Sequence, residues 1–265
     1  MKVTSLFLYP VKSLAGIPVQ SFELDDFGPS GDRRWMIVDE FGQFVTQRQL
    51  PSLALIQTEF GPEGVSVAIP GEGTFLLVPT EEQLQVTVWR DDVTACAGQE
   101  LVNRALTRFS GQSLRFVYMA NSSYRRVDPE RVVASRRVGF ADGFPVLLAN
   151  QASLDELNDR LEHPVDIRRF RPNILVSGGE PWAEDHWRTL KIGSVGFSVV
   201  KPCSRCVMTT VDPDTGEKDV NTQPLRMLST YRKTSNGVIF GQNAIHETPG
   251  RVAVGDRVVI QNRSM

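Results

Sequence analysis

Short runs of β-branched and aromatic residues, each cut off by glycine or proline, recur along nearly the whole chain. This pattern limits the fold more than any other feature, because runs of this length can bury a sheet face but cannot sustain a helix. Strands are expected over residues 3–9, 19–24, 53–60, 65–69, 74–78, 84–88, 114–118, 146–148, 174–177, 189–192, 195–200, 207–211 and 237–242. Residues 31–39 lead into a further strand that turns at Glu40-Phe41-Gly42 and returns over 44–46, a hairpin. Residues 252–254 and 258–260 read as a closing hairpin about Gly255-Asp256. Helical spacing is clearest where Leu101, Val102, Ala105, Leu106 and Phe109 predict a helix over 100–109, with Gly111 beyond its end. A second is expected over 154–161, with Ser153 and Glu156 in capping-box spacing, and a short third over 225–231, with Thr222 as cap and Pro224 near the first turn. Few helices and no strand–helix–strand alternation predict the α+β class: a mostly antiparallel β-barrel core with attached helices, preceded by an N-terminal β-rich domain. The polar, arginine-rich stretch 121–138 has no period and is expected to be a long connection, dividing the chain into 1–120 and 121–265.

An apolar content of 41% over 265 residues supports a sizeable core, and a net charge of −2 with 23% charged residues directs the chain to neither nucleic acid nor membrane. Arginine is nonetheless unevenly placed. Residues 104–137 hold Arg104, Arg108, Arg115, Arg125, Arg126, Arg131, Arg136 and Arg137, and Arg168, Arg169 and Arg171 form a second group. Arginine without lysine suits phosphates and carboxylates, although Arg125, Arg126, Arg136 and Arg137 read most simply as a solvated or substrate-entrance face. Trp35 and Trp89 read as core, Cys96 as a buried small apolar residue, and His186 and His246 as structural. Three cysteines do not make a disulfide framework, residues 1–9 do not read as a signal peptide, and no run reaches membrane-helix length. The expected setting is a reducing, cytoplasmic one.

The chemistry concentrates in Cys203-Ser204-Arg205-Cys206, which is preceded by Lys201-Pro202 and followed by the turn Asp212-Pro213-Asp214-Thr215-Gly216. Tetrahedral zinc would need two more ligands from Cys96, His163, His186 and His246, with no second C-x-x-C to help. A redox dithiol would gain from Lys201 and Arg205, but β-type residues follow where a helix would be wanted. One soft thiolate could bind a metal carried by an anionic cofactor, with nearby cations holding the anion. An inert buried pair is the fourth reading.

Several segments resemble one family when taken in order: Tyr9-Pro10-Val11-Lys12-Ser13; Asp32-Arg33-Arg34-Trp35; Phe170-Arg171-Pro172-Asn173-Ile174; the cysteine stretch through Gly216; and Phe240-Gly241-Gln242 followed by Pro249-Gly250 and Val254-Gly255-Asp256. This is similar to the MOSC (molybdenum cofactor sulfurase C-terminal) domain family with its N-terminal β-barrel partner, which includes the mitochondrial amidoxime-reducing component and bacterial relatives. The resemblance implies a MOSC β-barrel core and a molybdenum–molybdopterin cofactor lying between the two halves. It makes Cys206 the metal ligand and catalytic residue. Lys12, Ser13, Arg33, Arg171 and Asn173 would hold the pterin and its phosphate, with Asp142, Gly143, Phe144, Ser204 and Arg205 lining the same site. The implied activity is reduction of small N-hydroxylated compounds. A cofactor carrier or sulfur-handling protein is the alternative, and pyridoxal phosphate binding is a further family-level association. Some relatives carry a ferredoxin-like domain, but this sequence has no four-cysteine iron–sulfur pattern. Electrons are therefore expected from a separate ferredoxin-like protein or flavoprotein reductase. The targeting segment of the mitochondrial members is also not expected here.

Overall fold

The computed structural model describes residues 1–132 and 135–261. Its widest layer is a nine-stranded sheet in the order Val258–Ile260, Thr189–Ile192, Val195–Ser204, Gly237–His246, Val146–Asn150, Ile174–Ser177, Lys2–Leu8, Ile17–Val19, with Lys233–Thr234 paired to one side of Gly237–His246. The first strand of the chain therefore lies in register with a strand far along the sequence, Val3 opposite Val176 and Leu6 opposite Ile174. Both faces of this part of the sheet are covered. Val3, Leu6, Leu148, Ile174, Val176 and Phe197 face one apolar cluster, a bulge between Val3 and Ser5 bringing Val3 and Leu6 to the same side, while Phe7, Ala149 and Leu175 face another.

Three smaller sheets complete the α+β architecture. One joins Trp35–Val38, Arg115–Tyr118, Asp91–Gly98 and Pro79–Val88; another joins Gly250–Ala253, Ser21–Asp25 and Gly28–Pro29; the third joins Gln57–Gly61, Gly64–Ile69 and Gly73–Leu76. Helix α1 (Glu100–Ser110) lays Val102, Ala105 and Leu106 against Ile37, Val67 and Phe116, and ends at Gly111 in the left-handed conformation its φ of 68° requires. Helices α2 (Gln151–Asp159) and α3 (Leu225–Tyr231) flank a cluster centred on Phe170 and Phe240, whose rings stack 3.9 Å apart.

Several expectations need correction. Val146–Asn150 and Ile174–Ser177 run parallel and are joined through α2, so one strand–helix–strand unit exists. Residues 207–211 are not a strand. Val207–Thr210 is a 3-10 turn, because the Thr209 and Thr210 hydroxyls donate to Cys206 O at 2.9 Å and Val207 O at 2.7 Å and close the backbone locally. Pro51 likewise opens a 3-10 turn, Pro51–Leu55, and the strand begins only at Gln57. The return over 44–46 adds a single bridge, Val38 to Phe44, and Trp35–Val38 pairs instead with Arg115–Tyr118. The terminal strands form no hairpin: Gly250–Ala253 pairs with Ser21–Asp25, and Val258–Ile260 with Thr189–Ile192. Cys96 is half-buried rather than buried. The stretch 121–138, of which residues 133 and 134 lie outside the described part, folds back on itself. Val127 N–H donates to Arg136 O, and Val138 N–H to Arg125 O.

The expected caps also move. Helix α2 starts two residues before Ser153, and Asn150 caps it by accepting from Ala152 N–H at 3.2 Å. Ser153 instead donates to Glu184 Oε2 at 2.8 Å and accepts from Trp182 N–H at 2.7 Å. At α3 the Thr222 hydroxyl donates to Asn221 O, and Gln223 Oε1 accepts from Met227 N–H. Asn150 also donates to Glu180 O and Glu184 Oε2, so its replacement would take one of two donors from a buried carboxylate oxygen and uncap a helix end. Asn150→Ala is expected to lower the unfolding free energy by about 2 kcal/mol in urea titration. A loss under about 0.5 kcal/mol would contradict this account of the cap.

Candidate functional site

The loop after the first strand and the segment after Asp166 meet through one buried knot. Tyr9 N–H donates to Asp32 Oδ1 at 2.8 Å, and Arg33 N–H donates to Tyr9 O at 2.7 Å. Arg33 Nη1 then reaches Asp32 Oδ2 at 2.5 Å and Asn173 Oδ1 at 3.0 Å, while its Nη2 donates to Arg171 O at 3.1 Å. Asn173 returns a bond to Asp32 Oδ1 at 3.1 Å and accepts from Leu147 N–H. The Arg33 and Arg171 guanidinium groups both lie over the Tyr9 ring, at 4.4 and 4.1 Å from its centroid. Asp32, Arg33 and Asn173 thus fasten residues early in the chain to the nine-stranded sheet and fix where Arg171 lies.

Backbone strain gathers here. Of the six non-glycine residues with left-handed φ among the described residues, Ser13, Arg33, Trp89 and Arg171 surround this region. Left-handed backbone costs such residues energy and persists where the surroundings over-determine it. The loop carrying Asp142 is held from behind by Arg125, expected to be solvated but only 4% exposed. Its guanidinium donates to Gly139 O, Ala141 O and Asp142 O and pairs with Asp91 at 2.7 Å. Lys12 Nζ donates to Phe140 O at 2.8 Å and contacts Asp142 Oδ1 directly.

Between these loops lies an open cleft, with about 630 Å³ of space inside it when its solvent-filled mouth is included. Of the eleven residues expected to serve a site, nine form its wall: Lys12, Ser13, Arg33, Asp142, Gly143, Phe144, Arg171, Asn173 and Arg205. Side chains alternate along a strand, so Cys203 and Arg205 face the cleft while Ser204 opens onto the neighbouring groove and donates to Asn236 O. Arg205 Nη1 donates to Cys203 Sγ at 2.8 Å. Cys206 is half-buried at the edge, where its Sγ accepts from Arg48 Nε at 3.3 Å; Arg48 is itself a wall residue. Sequence reasoning missed Arg48, which sits in the polar run Thr46-Gln47-Arg48-Gln49 between apolar segments. It also took Trp89 for core, whereas the residue is 43% exposed, with the indole N–H donating to Asp142 Oδ1 at 3.2 Å. A tryptophan beside Arg90-Asp91-Asp92, at the end of a strand, was the signal available.

The wall carries Lys12, Arg33, Arg48, Arg171 and Arg205 against one carboxylate, Asp142. Burial pushes Lys12 down to about 8, with Asp142 opposing the shift. Burial also brings Arg171 down to about 10 and takes Tyr9 up to about 12. It raises Asp32 as well, against the pull of Arg33. Desolvation at the cleft pushes the Asp142 carboxyl up, but Lys12, Arg48 and the Trp89 indole together hold it well below the usual carboxylate range. The Asp142 side chain is 65% exposed, so water screens its ion pairs and they fix position more than they add stability. Arg171 Nη2 is buried without a partner. A desolvated cluster of cations with a donor unspent fits an anion, and a thiol beside it suits a soft metal.

Below pH 8 Lys12 keeps its charge in the free protein, and above it the charge is lost unless a bound anion restores it. The affinity of the cofactor-free protein for sulfate, which does not titrate in this range, is therefore expected to fall roughly tenfold from about pH 7 to about pH 9.5 by calorimetry. In Lys12→Arg the fall should vanish. An equal fall in both proteins would contradict it.

Two family models match this chain: the MOSC domain over residues 135–259, and the MOSC N-terminal beta barrel domain over residues 1–113. Among curated proteins, human mitochondrial amidoxime-reducing component 1 is 34% identical over 97% of this chain and 82% of its own length. Human mitochondrial amidoxime reducing component 2 is also 34% identical, with the same coverage of 97% and 82%. A rice molybdenum cofactor sulfurase is 30% identical over 89% of this chain, which spans 31% of that longer protein.

Proposed function

This chain belongs to the MOSC domain family, with a MOSC N-terminal beta barrel domain ahead of the MOSC domain, and from that premise we propose that it is a molybdenum-cofactor-dependent oxidoreductase that reduces N-hydroxylated small molecules. The observation that carries the reading is the convergence of Lys12, Arg33, Arg48, Arg171 and Arg205 on one cleft with a cysteine thiol at its edge. In this reading Lys12, Ser13, Arg33, Arg171 and Asn173 hold the pterin and phosphate of molybdopterin, and Cys206 supplies the protein's sulfur to the metal. Asp142, Gly143, Phe144 and Arg205 complete the walls, and the portions 1–120 and 121–265 each contribute one side. The bound metal would supply a two-electron couple. The reaction N–OH + 2 e⁻ + 2 H⁺ → N–H + H₂O then requires electrons from a separate ferredoxin-like protein or flavoprotein reductase.

The chain's own residues have definite tasks in this scheme. The cations bind the anionic group and neutralise it, which lets it enter a partly dry cleft. The knot of Asp32, Arg33 and Asn173 sets the position of that charge. Arg48 orients the Cys206 sulfur through its Nε–H contact. Lys12 is the lysine of the cleft wall, and its engagement with Phe140 O and Asp142 gives no support to a pyridoxal phosphate reading. The three unpaired cysteines support a reducing compartment such as the cytoplasm, and among the described residues no helix is long and apolar enough to cross a membrane. The similarity to a molybdenum cofactor sulfurase supports a second reading, a carrier that hands the cofactor on without reducing anything. Transfer of molybdenum to an apo-enzyme, with no turnover of a hydroxylamine or amidoxime, would favour that second reading.

The cysteine assignment is open to a direct test, since Cys203 is part of the wall while Cys206 touches it through Arg48. Protein from a cofactor-competent host should carry roughly tenfold less molybdenum as Cys206→Ser, while Cys203→Ser keeps most of it. Equal loss in the two variants would point to a dithiol instead.

A further inference from the structure

Trp89 is a residue beside the cleft that no step above uses. It sits in the turn between Pro79–Val88 and Asp91–Gly98, with a left-handed φ of 59°, and the residue is 43% exposed. A lone exposed tryptophan is ordinary, but this one is fixed on several sides. Its indole N–H is held by Asp142 at 3.2 Å, and the Arg48 guanidinium lies 4.5 Å from its ring centroid. Phe44 packs at 5.1 Å, tilted by 52°. Asp142 and Arg48 belong to the cleft wall, so the indole borders the cleft through both of them. Strained backbone, a hydrogen bond to a wall residue and a stacked cation together hold an aromatic surface still and leave part of it in water, the arrangement that suits a stacking partner.

We propose that Trp89 is the platform on which the substrate stacks, so that the site favours N-hydroxylated groups carried on flat aromatic rings over compact aliphatic ones. A planar ring laid against the indole would bring its N–OH substituent toward the cleft, past Asp142 and Arg48. An aliphatic N-hydroxy compound would gain nothing from the platform. The inference rests on the reductase reading and adds to it which substrates the site prefers.

The test uses molybdenum-loaded wild type, Trp89→Phe and Trp89→Ala, each first checked for an unchanged melting temperature. Benzamidoxime and acetamidoxime are compared in turnover and in equilibrium binding. The ratio of kcat/KM for benzamidoxime to that for acetamidoxime is expected to fall roughly tenfold in Trp89→Ala and much less in Trp89→Phe. The ratio of dissociation constants should move by the same factor. A ratio within about twofold of wild type in Trp89→Ala, including the case where both substrates lose equally, would overturn the platform and leave the indole as a brace for Asp142 and Arg48. Loaded wild type that reduces neither compound would sink the reductase reading. The binding arm still decides the platform in that case: benzamidoxime bound no tighter than acetamidoxime, or bound equally by Trp89→Ala, would overturn it.

Discussion

The buried contact of Arg33 with Asp32 and Asn173 is the interaction on which this molecule turns. Arg33 and Asp32 follow the small sheet that holds Ser21–Asp25, while Asn173 opens the strand Ile174–Ser177. A buried ion pair of this kind contributes little net stability against an apolar alternative, whereas losing one partner costs roughly 3–5 kcal/mol. Its use is specificity of arrangement. It fixes one register between the first strand and the sheet, and it fixes where the Tyr9 ring presents its face to two guanidinium groups.

From that knot the cleft follows. Bringing Lys12, Arg33 and Arg171 together with little water between them is unfavourable in the free protein, and the downward shifts at Lys12 and Arg171 record the strain. The fold accepts it by binding what it can: Arg171 spends one donor on Leu14 O and keeps the other free, and Lys12 leans on a carboxylate that is itself half in water. Such a site is preorganised for an anion, because the cations are already desolvated and oriented when the ligand arrives. The Cys206 sulfur beside it accepts a hydrogen bond from Arg48, which lies far earlier in the chain, so the thiol and the cation cluster share one scaffold.

The periodicity of the sequence was enough to read the α+β class and most strands, because β-branched alternation and glycine–proline punctuation report burial directly. It failed where side chains offered the backbone a local alternative. Thr209 and Thr210 close a turn after Cys206, and Asn150 rather than Ser153 caps α2, because Ser153 is drawn to the buried Glu184. The site was less legible. Lys12, Arg33, Asp142 and Arg171 lie far apart in sequence, and no local pattern says that they converge; only the resemblance brought them together before the geometry did. Arg48 was invisible, because one charged residue in a polar run looks like any other, and Trp89 offered only the weak signal of a tryptophan next to charged residues at a strand end. Arg125 was misread for the opposite reason. An arginine-rich run suggests solvent, yet a guanidinium can be buried when backbone carbonyls such as Gly139 O and Ala141 O take its donors.

The central claim is that this cleft is built for an anionic molybdenum cofactor. Elemental analysis of wild-type protein from a cofactor-competent host, combined with fluorescence of the pterin released on denaturation, tests it most directly. The protein is expected to carry molybdenum and pterin in equal amounts, approaching one of each per chain. Correctly folded protein that carries neither, or that carries zinc in place of molybdenum, would contradict it.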